Sequence, residues 1–284
     1  MGLLAALLWG GTDFLVGLNV RAVGVKRAVF FGQALGVCLM SLLLVIFPAY
    51  LFKAMAAPVE VWLMGVLAAA FTVTGALALG KAFALGKASI VAPLVTSYGV
   101  VTTLLSWASG EQISLIQLLC ILLCVLGVIL SSMHADSKLP HSTDFGRSII
   151  YALLSALLYG ASFWLQGRFT LPQLGPISML WLGYVVGTSV MLLMVLSIPD
   201  GLKIPPLKNC GTLAATSLMN LGAFFAFSWG AMSGSVSVVT VISTLSGGIA
   251  AVLGYLFFKE RLTAVQVTGV ALVLLGALLL HLKA

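Results

Sequence analysis

Gly110-Glu111-Gln112-Ile113-Ser114-Leu115-Ile116-Gln117, followed by Gly127, returns 149 positions later as Lys259-Glu260-Arg261-Leu262-Thr263-Ala264-Val265-Gln266, followed by Gly276. Each copy closes a block of five apolar segments, and the offset is a little over half of the 284 residues. The chain therefore reads as one block written twice. A block with an odd number of membrane crossings must return upside down, so the duplication predicts two halves of opposite orientation.

Composition sets the class. Hydrophobic residues make up 61% of the chain and charged residues 7%, with a mean hydropathy of +1.19. A soluble domain carries about 25% charged residues, so this chain could not cover a water-facing surface. It reads as an all-α polytopic membrane protein. The net charge of +7 comes from 14 Lys and Arg against 7 Asp and Glu. These cations stand singly or in pairs between apolar runs, as topology signals and lipid contacts do. Nothing in their pattern forms the basic stripe of a nucleic-acid binder.

Ten apolar runs, each near the ~20 residues needed to cross a bilayer as a helix, fall at 2–20, 29–51, 60–84, 87–108, 113–133, 148–168, 176–198, 209–232, 234–257 and 263–282. They define two repeats, 2–133 and 148–282, joined by a polar linker at 134–147 that holds His134, Asp136, Lys138, Pro140, His141 and Asp144. The first run has no basic residue before it and carries Asp13 in its middle, which argues against a cleaved signal peptide.

The copies agree along most of their length. Leu8-Trp9-Gly10-Gly11-Thr12 faces Leu158-Tyr159-Gly160-Ala161-Ser162, Gly32-Gln33-x-x-Gly36 faces Gly183-Tyr184-x-x-Gly187, and Thr96 faces Thr244. The paired glycines are expected to let helices approach closely in lipid. Ser114-x-x-Gln117 and Thr263-x-x-Gln266 have the spacing of capping boxes that start the last helix of each half. Glu111 and Glu260 belong to the turns before them and read as scaffold.

These motifs, together with the opening Leu-Trp-Gly-Gly-Thr-Asp-Phe at 8–14, resemble the EamA-type transporters of the drug/metabolite transporter superfamily. The resemblance covers about 2–133 and 148–282. It implies ten transmembrane helices arranged as two inverted five-helix repeats. It also implies a bacterial inner-membrane location and secondary transport of a small metabolite.

Among seven acidic residues, only Asp13 lies deep inside an apolar run. An intramembrane carboxyl is costly and faces a cavity or a partner. Two readings stand open: a proton-coupling or cation-binding group, or a neutral acid bonded to backbone, Asn19, Gln33 or Asn220. Its repeat partner is Phe163, so the acid exists in one half only. Tyr159, Ser162, Phe163 and Gln166 share one stripe of a helix by their spacing, as do Trp9, Thr12, Asp13 and Val16. The two stripes are expected to face each other across a central cavity, with interhelical hydrogen bonding as the alternative. Gln33, Tyr98, Tyr184, Asn220 and Thr244 are further candidates for its lining. Trp62, Trp107 and Trp181 read as interfacial anchors, and Lys81 and Arg168 as cations snorkelling to the headgroups.

Pro93 clashes with the carbonyl of Ser89 in a helix, which predicts a kink in the fourth segment. Gly247-Gly248 in the ninth is its expected bendable counterpart. Cys38, Cys120, Cys124 and Cys210 read as small apolar fillers, and the scattered histidines hold no metal. No cofactor is expected.

Loops on one side carry Arg21, Lys26, Arg27, Lys81, Lys87, Lys138, Arg147, Lys203, Lys208, Lys259 and Arg261, against Lys53, Arg168 and Lys283 on the other. By the positive-inside rule both termini lie outside the cytoplasm, whereas the resembled family is drawn with both inside.

The function expected is secondary transport of a small polar or amphipathic metabolite by alternating access, with protons coupled through Asp13. The partners are then membrane lipids, the metabolite and protons. A passive channel or lipid-translocating protein is the alternative. A membrane enzyme would need an acidic pair, a metal cluster or a nucleophile with its base. None of these patterns is present, so no catalysis is expected.

Overall fold

In lipid, backbone N–H and C=O groups must pair within the chain, and apolar runs this long can do so only as helices. The computed structural model describes residues 1–110, 112, 114–132, 142–199, 201–233, 236–259 and 262–281, and these contain helices and no strand. The helices are α1 (Gly2–Val23), α2 (Val25–Ile46), α3 (Ala49–Met55), α4 (Val59–Leu85), α5 (Ala88–Val95), α6 (Tyr98–Ala108), α7 (Leu115–Ser132) and α8 (Ser142–Leu165). A π-helical turn, Gln166–Thr170, leads into α9 (Leu171–Leu196). They continue with α10 (Leu207–Ser233), α11 (Val236–Ser243), α12 (Ser246–Phe258) and α13 (Ala264–His281). Six stretches are long and apolar enough to cross a membrane: Gly2–Val23, Val25–Ile46, Val59–Leu85, Ala88–Ala108, Asp144–Leu196 and Leu207–Ser233.

Local chemistry explains where the runs depart from single helices. The second run was expected to reach residue 51, but Pro48 offers no N–H and α2 stops at Ile46, with short α3 following. The fourth run divides at Thr96 and Ser97, between α5 and α6. Pro93 therefore lies inside α5, one turn before the break. There the Thr96 hydroxyl donates to Pro93 O at 2.6 Å and the Ser97 hydroxyl to Leu94 O at 2.7 Å. The ninth run divides at the equivalent place, Thr244 and Leu245, without a proline. Gly247 does not supply this bend. A Cβ there would lie 2.9 Å from Pro93 Cα, so it is the place where α12 crosses α5.

Positive backbone φ occurs at Gly24 (83°), Gly110 (99°), Gly175 (73°) and Lys259 (52°) among the described residues. Gly24 and Gly175 stand 151 positions apart, and Gly110 and Lys259 stand 149 apart. Gly24 and Gly175 also share an extended ψ, 153° and 168°. An L-residue is strained in such a conformation and glycine is not.

Helix packing repeats as well. Gly10 of α1 abuts Ile249 and Ser246 O, and Gly160 of α8 abuts Val101 and Tyr98 O. The Tyr184 ring is seated on Gly36, while Gln33 is seated on Gly187. This corrects the expected role of the paired glycines in α2 and α9. Gly36 and Gly187 accommodate a large side chain from the other helix, a Cβ at Gly32 would meet only Ser217 of α10 at 3.6 Å, and one at Gly183 would meet nothing within 4 Å. Backbones also come close between α7 and α13, where a Cβ on Gly127 would lie 2.6 Å from Val273 N.

The capping box of α13 is complete. Thr263 N–H donates to Gln266 Oε1 at 3.2 Å, and Gln266 N–H donates to Thr263 Oγ1 at 3.3 Å. Glu111, Glu260, Arg261 and linker residues 134–141 lie outside the described residues, as do the side chains of Gln117 and Cys124.

The buried core surrounds Trp9, Phe83, Leu94, Tyr98, Phe163 and Phe227. Leucines, valines and phenylalanines such as Leu63, Leu193, Val45 and Phe257 cover the outside, the surface a hydrocarbon solvent requires. Trp107 is exposed at 57%, and the Trp181 indole N–H donates to Ser41 Oγ at 3.0 Å, joining α9 to α2. Lys81 is exposed and its ammonium lies 5.1 Å from the Tyr151 ring centroid.

Candidate functional site

A cavity of about 140 Å³ lies among α1, α2, α4, α8, α9 and α10 and reaches Val95, Tyr98 and Ser246 beside the two helix breaks. Its walls include Trp9, Thr12, Asp13, Gln33, Tyr98, Tyr159, Gln166, Tyr184 and Asn220. The helical stripes of α1 and α8 thus border one space. Two of the residues expected in the lining do not reach it. Ser162 is fully buried against α4: its Oγ lies 2.7 Å from both Ala68 O and Thr72 Oγ1 and accepts from Gln166 Nε2 at 2.9 Å. Thr244 is buried at the break between α11 and α12.

Asp13 is 9% exposed and opens on the cavity. No hydrogen bond holds its carboxyl, and no Lys, Arg or His lines the cavity among the described residues. The neutral acid bonded to backbone, Asn19, Gln33 or Asn220, one of the two readings left open by the sequence, is therefore not the arrangement found. Those amides are engaged elsewhere. Asn220 Oδ1 accepts from the Trp9 indole N–H at 3.2 Å. Asn19 donates to Thr216 Oγ1 at 2.8 Å and accepts from the Thr212 hydroxyl at 2.7 Å, tying α1 to α10. Gln33 rests on Gly187.

Part of the wall is aromatic. Phe163 lies 5.5 Å from Trp9, 5.1 Å from Tyr98 and 4.6 Å from Phe227, centroid to centroid, and Trp9 meets Phe224 edge-on at 5.1 Å. Such tilted and edge-to-face pairs are favourable beyond the area they bury. The Tyr98 hydroxyl is 2.9 Å from Ser243 Oγ. Ser243 donates onward to Thr240 O at 2.6 Å, which leaves Tyr98 as the donor. The ring is thereby fixed across the two broken segments.

Beyond Val20, Arg21 closes one end of the bundle. Its guanidinium donates to Phe83 O at 3.4 Å and Gly86 O at 3.1 Å, and stacks 4.7 Å from the Phe258 ring centroid. One residue thus joins the ends of α1, α4 and α12.

Thr72, Thr216, Ser217, Ser246 and Phe224 also line the cavity and were not singled out in the sequence. The hydroxyls of Thr72 and Thr216 return to their own helices at Ala68 O (3.0 Å) and Thr212 O (2.7 Å). Such bonds make a residue look like ordinary helix filler. Each hydroxyl also reaches another helix, Thr72 meeting Ser162 of α8 and Thr216 accepting from Asn19 of α1, and Ser217 donates to Gly32 O of α2 at 2.9 Å. The described residues contain no cluster of His, Cys, Asp or Glu fit for a metal.

No curated protein gives a significant match to the chain. A solved crystal structure of a protein aligns with 100% of this chain and 96% of its own, at a TM-score of 0.73 and 17% identity, a likeness that shows the fold alone. The model of the EamA-like transporter family matches residues 1–133 and 146–282, on both sides of the linker. An all-helical multi-pass membrane protein matched over nearly its whole length in this way belongs to the EamA-like transporter family.

Proposed function

We propose that the protein is a secondary transporter of a small polar or amphipathic metabolite, built as ten spans in two inverted halves, 2–133 and 148–282, with 134–147 as linker. The halves rock about the central cavity and expose it to each side in turn. Asp13 couples that motion to protons, and the protein has no catalytic activity of its own. The location that fits is a bacterial inner membrane.

The observation that carries this reading is a cavity shared by equivalent residues of both repeats and holding one unpaired carboxyl. The duplicated turns at Gly24 and Gly175 support a common ancestry for the halves. So does their packing: Gly10 on α12 matches Gly160 on α6, and Gln33 on Gly187 matches Tyr184 on Gly36. Discontinuous helices at equivalent places, here α5–α6 and α11–α12, are where transporters of inverted-repeat design build their sites. The Arg21 bonds are the natural closure of one face and must part when that face opens.

The test is a thermal-shift screen of soluble metabolites on purified protein, followed by flux of the hits in proteoliposomes under an imposed pH gradient. Saturable flux that follows the gradient, and that loses this dependence in Asp13→Asn, is expected. Gradient dependence unchanged in the variant would reject the coupling role. Conductance or lipid scrambling without saturation would favour the passive alternative. A reporter fused to the C-terminus settles orientation, a cytoplasmic signal overturning the charge count.

A further inference from the structure

We propose that the cavity selects an organic monocation, an ammonium group attached to a compact apolar or aromatic body, and does not accept anions. The proposal deepens the transport reading and rests on its assignment of the cavity as the substrate site.

The argument is one of charge balance. The cavity wall contains one acidic side chain, Asp13, and no basic one among the described residues. The other titratable groups facing it are the phenols of Tyr98, Tyr159 and Tyr184. A carboxylate or phosphate entering this space would leave water, meet no cation and come up against Asp13, a cost no neutral hydroxyl offsets. An ammonium group entering the same space meets a carboxyl that is more than nine-tenths buried and has no competing partner. Attraction between opposite charges is several-fold stronger there than in water.

The rest of the wall suits the body of such a ligand. Trp9 is one turn before Asp13 on α1, so the two share a helix face, and both line the cavity. Its N–H is held by Asn220, which fixes the ring. Trp9, Phe163 and Phe224 offer a rigid aromatic wall, and aromatic faces attract cations. Size agrees: an apolar protein cavity of about 150 Å³ accepts a benzene ring, close to the 140 Å³ present here.

Three probes of nearly one shape isolate the charge: 2-phenylethylamine, 2-phenylethanol and phenylacetate, titrated calorimetrically into the full-length protein in detergent at neutral pH. The amine is expected to bind at least tenfold more tightly than the alcohol, with phenylacetate weakest. Asp13→Asn should bring the amine down to the level of the alcohol, whereas Asp13→Glu should keep the preference for the amine. Thermal unfolding of each variant shows that it is folded. Equal binding of amine and acid, amine affinity unchanged in Asp13→Asn, or no amine binding would each overturn the proposal. Flux in proteoliposomes separates this from the transport reading. Amine binding without flux would reject transport and leave the cation site standing. Saturable flux of an anion would do the reverse.

Discussion

The stretch from Leu8 to Val16 on α1 and that from Leu158 to Gln166 on α8 occupy equivalent places in the two halves and share a frame. Gly10 and Gly160 make the same close crossing, each against a β-branched side chain and a backbone carbonyl of a broken span. Three positions further along, the copies part. Asp13 faces the cavity with no partner, whereas Phe163 packs among Trp9, Tyr98, Tyr159, Phe224 and Phe227. The two stretches match where the helices cross and differ in the side chains beyond the crossing. One copy came to hold the charge and the other the packing. Matching crossings with differing side chains suit the single central site proposed for the cavity.

The largest effect should come from the packing side. Phe163→Ala removes the ring at the centre of the aromatic cluster and should cost about 3–5 kcal/mol of stability, read by reversible unfolding in mixed micelles. A loss under 1 kcal/mol would mean that Phe163 faces open space, and the division of labour would fail.

The shared frame is tested next. Gly10→Val and Gly160→Val each push a branched side chain into a helix crossing where an added Cβ already overlaps Ile249 or Val101. Overpacking of this kind costs about 1–3 kcal/mol, and the two variants should lose stability to similar extents. One severe and one silent variant would show that the crossings are not equivalent.

Asp13→Asn is the mirror of the phenylalanine change. The side chain has no bond to lose, so unfolding should shift by less than about 0.5 kcal/mol. Gradient-driven flux should nevertheless fall at least tenfold, equivalent to about 1.4 kcal/mol. A stability loss matching that of Phe163→Ala would make Asp13 a structural residue and reverse the comparison.

Some of this was legible in the chain and some was not, for physical reasons. Continuous apolar runs permit only helices in lipid, so the described helices follow them, and the Thr263–Gln266 box is local enough to be read from spacing alone. Asp13 stood out because a charge is rare in hydrocarbon. The division of the ninth run at Thr244 had no local cause of the kind Pro93 offers, and it shows only in the packing of α12 on α5. The Asn19–Thr212–Thr216 network was hidden too, because its partners lie nearly 200 residues apart and each could be satisfied in other ways. Ser162 misled for a related reason. Helical spacing gives its direction around α8 but not the helix it meets, and α4 lies closer than the cavity.

That last pair gives the finest test, between Thr12 and its equivalent Ser162. The Thr12 hydroxyl donates to Leu8 O of its own helix at 2.8 Å, a carbonyl that α1 already uses in its backbone ladder. The Ser162 hydroxyl links α8 to Ala68 and Thr72 of α4 and accepts from Gln166. Interhelical hydrogen bonds in membranes are worth about 0.6 kcal/mol on average and up to about 1.7. Ser162→Ala should therefore destabilise by roughly that amount, and Thr12→Val, which keeps the shape and loses a bond within one helix, by less than about 0.5 kcal/mol. Double-mutant cycles with Thr72→Val locate the difference. Coupling should appear for Ser162 and vanish for Thr12, since only the former reaches another helix. Equal coupling would mean that the two hydroxyls do the same work and that the halves diverge at Asp13 and Phe163 alone.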